Sequence, residues 1–90
     1  MREDVFMQYS LILCRSLTYA QRAAHTLERA GITATVRKAP QGASDRGCTY
    51  AVKLRTSVLS RALQTLNNAG VPYGKQFHLD EDGSLREVEA

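Results

Sequence analysis

Two cysteines are the side chains best suited to chemistry in this 90-residue chain, and Cys48 is the more informative of them. It follows a glycine-bearing segment, residues 41–47, and stands at the start of a predicted strand, where loops often present reactive groups. The thiolate is the nucleophilic form of cysteine, and nearby cations and a helix N-terminus both favour it. Cys48 is therefore the predicted reactive thiol. The alternative is that it packs as a small hydrophobic residue.

The segment from Cys14 to Ser16 is the second candidate for chemistry. Cys14 ends an apolar run, so packing is its first interpretation, and a partner thiol for Cys48 is the functional alternative. Arg15 and Ser16 precede a predicted helix, whose first N–H groups favour an anion. Together with Arg46 they are the predicted anion-binding residues, although a solvated arginine and a loop serine that assists entry into the helix are the commoner roles.

Several kinds of site are excluded by what the sequence lacks. It does not contain serine, histidine and aspartate in the order of a catalytic triad. It also contains no phosphate-binding glycine loop and no Cys-x-x-Cys pair. Metal-chaperone domains of similar topology place two cysteines in the loop that here offers only Cys14. We therefore expect no metal and no cofactor, and since no second catalytic group accompanies the thiol, a non-enzymatic protein.

Charge and composition narrow the class of protein. Residues 1–55 carry nine basic and four acidic side chains, a net +5, whereas residues 56–90 carry three and five, a net −2. Such asymmetry favours an anionic substrate, a nucleic acid or an acidic partner protein. The 43% hydrophobic content is that of a globular chain, and its longest apolar run has four residues, so we expect no membrane segment and a cytoplasmic location.

An internal repeat defines the helices that must position these residues. Residues 22–32 align with residues 61–71, and six of the eleven positions are identical. Each copy predicts an amphipathic helix, a glycine that ends it and a β-branched residue that opens a strand. Thr18, with Gln21, is the predicted cap of the first helix, and Thr56 or Ser57 caps the second.

The strands complete a ferredoxin-like fold. Residues 9–14 are apolar on both faces, as in an interior strand; residues 48–55 alternate, and residues 32–38 and 71–79 are typical of edge strands. The prediction is a single α+β domain, residues 1–79, with βαββαβ order, a four-stranded antiparallel sheet of order 4-1-3-2 and two helices on one face. Residues 80–90 form either an acidic tail or a short extra strand. The edge at 71–79 could pair with a second copy in a homodimer.

This topology brings the two cysteines to one edge of the sheet. The first and third strands are antiparallel neighbours, so the end of one lies beside the start of the other. A change of register by one residue would place the two sulfur atoms on opposite faces, and the sequence leaves both arrangements open.

The fold also serves RNA-recognition domains, whose third-strand motif can be compared with residues 46–53. Cys48 and Lys53 replace two of the aromatic residues of that motif, and only Tyr50 could stack on a base. The first strand supplies no aromatic residue at its end. Nucleic-acid binding is therefore a weak expectation, with Arg37, Lys38, Lys53 and Arg55 as its phosphate contacts.

The order and spacing of several short motifs resemble a family of small bacterial domains of unknown function, described as putative selenium/sulfur (Se/S) carrier protein-like. The motifs are Leu11-Ile12-Leu13-Cys14-Arg15-Ser16, Ala20-Gln21-Arg22-Ala23, Leu27-Glu28-Arg29-Ala30-Gly31-Ile32, Pro40, Gly47-Cys48 and Tyr50-Ala51-Val52-Lys53-Leu54. The resemblance implies that Cys48 accepts sulfane sulfur or selenium from a donor such as a cysteine desulfurase. It would hold the atom as Cys–S–SH or Cys–S–SeH and pass it to an acceptor protein. The competing hypothesis is a small-ligand, partner-protein or RNA-binding regulatory module without covalent chemistry.

Overall fold

The computed structural model describes residues 8–43 and 47–88, which form one antiparallel sheet and two α-helices. The elements in chain order are β1 (Tyr9–Cys14), α1 (Leu17–Arg29), β2 (Thr35–Lys38), β3 (Tyr50–Arg55), a 3₁₀ turn (Thr56–Val58), α2 (Leu59–Ala69), β4 (Gln76–Leu79) and β5 (Leu85–Glu87). The strands lie in the order β2-β3-β1-β4-β5. The predicted α+β class, with two helices and an antiparallel sheet, is confirmed.

The predicted count of four strands is wrong, because the chain continues into β5. Residues 80–84 turn the chain back, with the N–H of Gly83 donating to the carbonyl of Asp80 at 2.9 Å. Gly83 has φ +88°, a conformation that suits glycine. β5 then pairs antiparallel to β4, with Leu79 opposite Leu85. β4 therefore has a strand on each side, and β5 pairs with residues 77–79 of the edge strand predicted at residues 71–79. The homodimer through that edge stays a prediction.

The repeat is explained by how the two helices end. In the first copy the N–H of Gly31 donates to the carbonyl of Glu28, and the N–H of Ile32 donates to that of Leu27, both at 2.9 Å. Residues 66–71 form the same pair of bonds in the second copy, at 3.1 and 3.0 Å. Gly31 and Gly70 have φ of +82° and +72°, as a Schellman motif requires. The residue after each glycine is buried, so the repeat both stops the helix and returns the chain to the core.

The helix starts differ from the predicted caps. Ser16, not Thr18, caps α1, since its Oγ accepts a hydrogen bond from the N–H of Tyr19. α2 has no side-chain cap. The hydroxyl of Thr56 instead lies 2.7 Å from Oγ of the fully buried Ser10, which also contacts Nδ1 of His78 at 2.9 Å. A buried hydroxyl needs partners more than an exposed helix end does, and Thr56 meets that need.

Alternation along β1 divides the core between the two faces of the sheet. On the helix face, Ile12 and Cys14 pack with the apolar stripes of both helices and with alternate residues of β3. On the opposite face, Leu11 and Leu13 pack in a second cluster, whose other members are Ala43, Ala51 and Phe77. All four of these β1 residues are at most 1% exposed, which confirms β1 as an interior strand covered on both sides.

The second cluster is covered by the connection from β2 to β3, which we call the strap (residues 39–43 and 47–49). Ala43 is buried in the cluster, and Ala39 packs against it. A turn closed by the N–H of Ala43 and the carbonyl of Pro40, at 3.1 Å, bends the strap over the sheet. The face bearing this cluster is therefore called the strap face. Residues 44–46 lie outside the described residues.

Candidate functional site

Cys48 lies in the strap, just before β3, and its side chain is partly exposed. It packs against the apolar cluster of the strap face. The predicted strand began at residue 48, but β3 begins at Tyr50. Gly47 has φ +80°, which turns the chain ahead of Cys48, and the N–H of Ala39 donates to the carbonyl of Thr49 at 3.0 Å. Cys48 thus lies between the turn at Gly47 and the hydrogen bond that joins Ala39 to Thr49, and it remains accessible to solvent.

Cys14 has the opposite surroundings. It is 1% exposed and belongs to the helix-face cluster, where its Sγ–H donates weakly to the carbonyl of Ile12 at 3.7 Å. Burial, and to a smaller extent negative charge on Cys48, raise the pKa of its thiol to about 11. A thiol with this pKa remains protonated at neutral pH, and the thiolate is the nucleophilic form. Burial and the raised pKa therefore both disfavour reaction of Cys14 in the folded protein at neutral pH.

The two cysteines lie at the same edge of the sheet but pack on different faces. Cys14 is opposite Tyr50 in the β1–β3 register, and Cys48 precedes Tyr50 by two residues. The electrostatic effect of Cys48 on Cys14 reflects this proximity. Cys14 points into the helix-face cluster, whereas Cys48 packs into the strap-face cluster. Of the two arrangements that the sequence leaves open, the structure has the one with opposite faces, and both residues are thiols rather than a disulfide.

The segment of Arg15 and Ser16 reaches the same edge through a hydrogen bond. Oγ1 of Thr49 donates to the carbonyl oxygen of Arg15 at 3.3 Å, which joins the start of α1 to the residue that follows Cys48. The Arg15 side chain is exposed, and the Ser16 hydroxyl is occupied in capping α1. Arg46 lies outside the described residues. The role of these residues in binding an anion stays a prediction.

The sequence interpretation missed the strap and the hydroxyl of Thr49. A signal for the strap was present, because β1 is apolar on both faces and such a strand needs cover on both. Pro40 and Gly42 marked a turn that brings Ala43 over the sheet. A Cβ placed on Gly42 would lie 3.8 Å from Cδ1 of Leu85, so the strap extends as far as β5. Nothing in the sequence signalled the bond from Thr49 to Arg15.

Within residues 8–43 and 47–88, no group of three or more His, Cys, Asp or Glu side chains is placed to hold a metal ion. In the same part of the chain, neither helix has the length and apolar character needed to span a bilayer.

Comparison with known proteins gives one match. The model of a family described as "Putative Se/S carrier protein-like" matches residues 8–78, which include β1 to β3, both helices and most of β4. No curated protein and no solved structure matches the chain. The matched region contains both cysteines and the whole strap.

Proposed function

The chain belongs to the Se/S carrier protein-like family, and from this premise we propose that it carries sulfane sulfur or selenium on the thiol of Cys48. The observation that carries the proposal is the contrast between the two cysteines. Cys48 is partly exposed beside a glycine turn, whereas Cys14 is buried and protonated. A carrier needs one accessible thiol that accepts and releases its cargo, and Cys48 meets this requirement.

The transfer requires no oxidant or reductant. The Cys48 thiolate attacks the outer sulfur of a donor persulfide, R–S–SH, so that the donor S–S bond breaks, Cys48–S–SH forms and R–S⁻ leaves. In the second step an acceptor thiolate attacks the same outer sulfur and Cys48 leaves as a thiolate. For selenium the adduct is Cys48–S–SeH. A cysteine desulfurase is a donor of this class, and the acceptor is a second thiol protein.

The edge of the sheet supplies the surroundings for an anionic cargo. A persulfide is more acidic than its parent thiol and carries negative charge at neutral pH, so cations beside it stabilise the loaded form. Arg15 is held at this edge by the bond between its carbonyl and Thr49, and its side chain remains exposed. Ser16 fixes the start of α1 in the same place, where the positive end of the helix dipole adds to the effect. Arg46 is assigned the same role from its position in the sequence.

The state of Cys14 protects the cargo. A reactive second thiolate would attack the inner sulfur of Cys48–S–SH, form a Cys14–Cys48 disulfide and release HS⁻, which would discharge the carrier. Burial and the raised pKa keep Cys14 from acting in this way. We therefore assign Cys14 to packing rather than to the partner-thiol role.

The alternative of a nucleic-acid-binding module is less well supported. RNA-recognition domains stack bases on the open centre of the sheet face. Here the strap covers that centre, and Ala43 is packed against Leu13 and Ala51. Tyr50, the aromatic residue that the sequence offered for stacking, packs against the helix-face cluster instead.

Mass spectrometry after incubation with a cysteine desulfurase and cysteine tests the proposal. Wild type and Cys14→Ala should each gain one sulfur atom, located on the peptide that contains Cys48. Cys48→Ser should gain none, while its circular-dichroism spectrum remains that of the wild type. Equal loading of Cys48→Ser and wild type would refute the proposal.

A further inference from the structure

A row of basic side chains crosses the strap face on the side away from β5. Arg37 is opposite Ala51, Thr35 is opposite Lys53, and Arg55 ends β3. Because alternate residues of a strand share a face, Arg37, Lys53 and Arg55 project from the same face as Ala51. At about 3.4 Å per residue they extend about 14 Å from the Ala51 register to Arg55. We call these three residues the basic row.

The basic row has no acidic partner in the described part of the chain. The two ion pairs found there, Lys75–Glu87 and Arg86–Asp80, involve β5 and the turns around β4. Arg37 and Arg55 are exposed, and Lys53 is half-buried with its Nζ 4.5 Å from the centre of the Tyr9 ring. The positive charge of the row is thus directed at solvent, where it can attract an anionic partner.

A cleft of about 570 Å³ lies at the far end of the basic row. Lys53 and Arg55 are the charged residues that line it, the half-buried Tyr9 and Val58 contribute apolar surface, and the lining also includes the buried Ile32 and Leu54. The cleft lies beyond the start of β2, where β3 continues past Lys53, its last residue paired with β2. A site with this lining suits a carboxylate beside an apolar side chain, which is the chemistry of an acidic protein segment.

From these observations we infer that the basic row and its cleft form the docking surface for an acidic segment of a protein partner, the donor in sulfur transfer. This inference rests on the proposed function. Arg37 lies next to Ala51, three residues from Cys48, and Cys48 packs on the same face. A partner seated on the basic row therefore lies on the side of the sheet from which Cys48 is reached.

A nucleic acid fits this surface less well than a protein does. Tyr9 is the aromatic residue beside the basic row, and Lys53 already covers one side of its ring. Three cations release few counterions from a single strand, so its affinity at physiological salt would be low. The apolar side chains of the cleft can form neither hydrogen bonds nor ion pairs with a phosphate.

The test compares two triple variants with the same change in net charge. The first, Arg37→Glu/Lys53→Glu/Arg55→Glu, reverses the basic row. The second, Arg22→Glu/Arg29→Glu/Arg61→Glu, reverses exposed arginines on the two helices. Binding of a fluorescent decapeptide of glutamates around a central leucine is measured by anisotropy at physiological salt. The row variant should bind at least tenfold more weakly than wild type, and the helix variant should remain within about threefold.

Three results would overturn the inference. The first is an equal loss of peptide binding in both variants, which would mean that net charge alone is responsible. The second is tighter binding of an oligouridine of ten nucleotides than of the peptide. The third is a salt-sensitive dimer, seen by sedimentation, that the row variant abolishes, because the surface would then serve a second copy. If the triple variant does not fold, Arg55→Ala provides the same comparison against Arg61→Ala, with an expected loss of about threefold.

Loading experiments separate this inference from the proposed function. With inorganic polysulfide as the donor, the row variant should load Cys48 as fast as wild type, because no protein has to dock. With a cysteine desulfurase as the donor, it should load at least tenfold more slowly. Failure of the wild type to load from either donor would refute the carrier function. Equal loading of both proteins from the desulfurase would refute the docking surface alone.

Discussion

The two faces of the sheet bury their residues by different means, and each face sets the chemistry of one cysteine. Two helices cover the helix face, and Cys14 beneath them is 1% exposed. The strap covers the other face, and Cys48 at the margin of that cover remains partly exposed. A helix encloses a side chain continuously, whereas a short connection leaves an edge open to solvent. The same residue type is therefore structural on one face and available on the other.

The largest effect expected from this comparison is on the helix face. Leu27 is fully buried between α1 and the sheet. Leu27→Ala should lower the free energy of unfolding by about 3 kcal/mol, because the helix cannot collapse onto the cavity that remains. Urea denaturation measures this decrease in the free energy of unfolding. A decrease below about 1 kcal/mol would mean that the helices contribute little to covering this face.

The pH dependence of stability should reveal the burial of Cys14. The folded-state pKa of about 11 is above the ordinary value of 9.0, so the folded protein holds this proton more tightly than the unfolded chain. Its contribution is complete below pH 9 and is lost as the pH rises through the folded pKa, with about 2 kcal/mol gone by pH 11. The difference in unfolding free energy between wild type and Cys14→Ala isolates this group from the other groups that titrate there. A constant difference from pH 8 to pH 11 would contradict the assignment.

A smaller effect on the free energy of unfolding is expected from removing a buried methyl group of the strap. Ala43→Gly removes one buried methyl group and adds freedom to the unfolded chain, which should cost about 1 kcal/mol. Unlike the helix-face variant, it should also speed alkylation of Cys48, because Ala43 and Cys48 pack in the same cluster. Loss of stability without any change in that rate would show that the strap does not control access to the thiol.

The smallest effect concerns the bond between the two loops at the site. Thr49→Val removes the hydroxyl that donates to the Arg15 carbonyl, and since this contact is exposed we expect a loss of only about 0.5 kcal/mol. The rate of sulfur loading on Cys48 should fall more than the stability does, because Arg15 is no longer held at the edge. Thr65→Val, which loses an exposed bond within α2, is the matched control and should leave loading unchanged.

The sequence was sufficient for features set by local pattern. The repeat predicted where both helices end, because only a glycine tolerates the positive φ of Gly31 and Gly70. The two-sided apolarity of β1 predicted its central place. Both rest on short-range steric and burial rules that act the same way in any fold.

Features that depend on competition between distant groups were not predictable from the sequence. Ser16 and Thr18 are both acceptable caps by residue type, and which of them caps the helix depends on where β1 ends and α1 begins. Thr56 is an acceptable cap by residue type, but its hydroxyl is hydrogen-bonded to the buried hydroxyl of Ser10, 46 residues away in sequence. The faces of Cys14 and Cys48 depend on a turn at Gly47 that composition does not reveal. Arg46, on which part of the anion-binding prediction rests, lies outside the described residues.

The most direct test of the account compares the alkylation rates of the two cysteines in one folded sample at neutral pH. Isotopically distinct iodoacetamide pulses and peptide mapping give both rates. A thiol with a pKa of about 11 is thiolate to only about one part in ten thousand at pH 7, so Cys48 should react at least about 100-fold faster than Cys14. Equal rates, or faster labelling of Cys14, would contradict the central claim. That claim is that burial on the helix face lowers the reactivity of Cys14, whereas Cys48 on the strap face remains accessible to reagents.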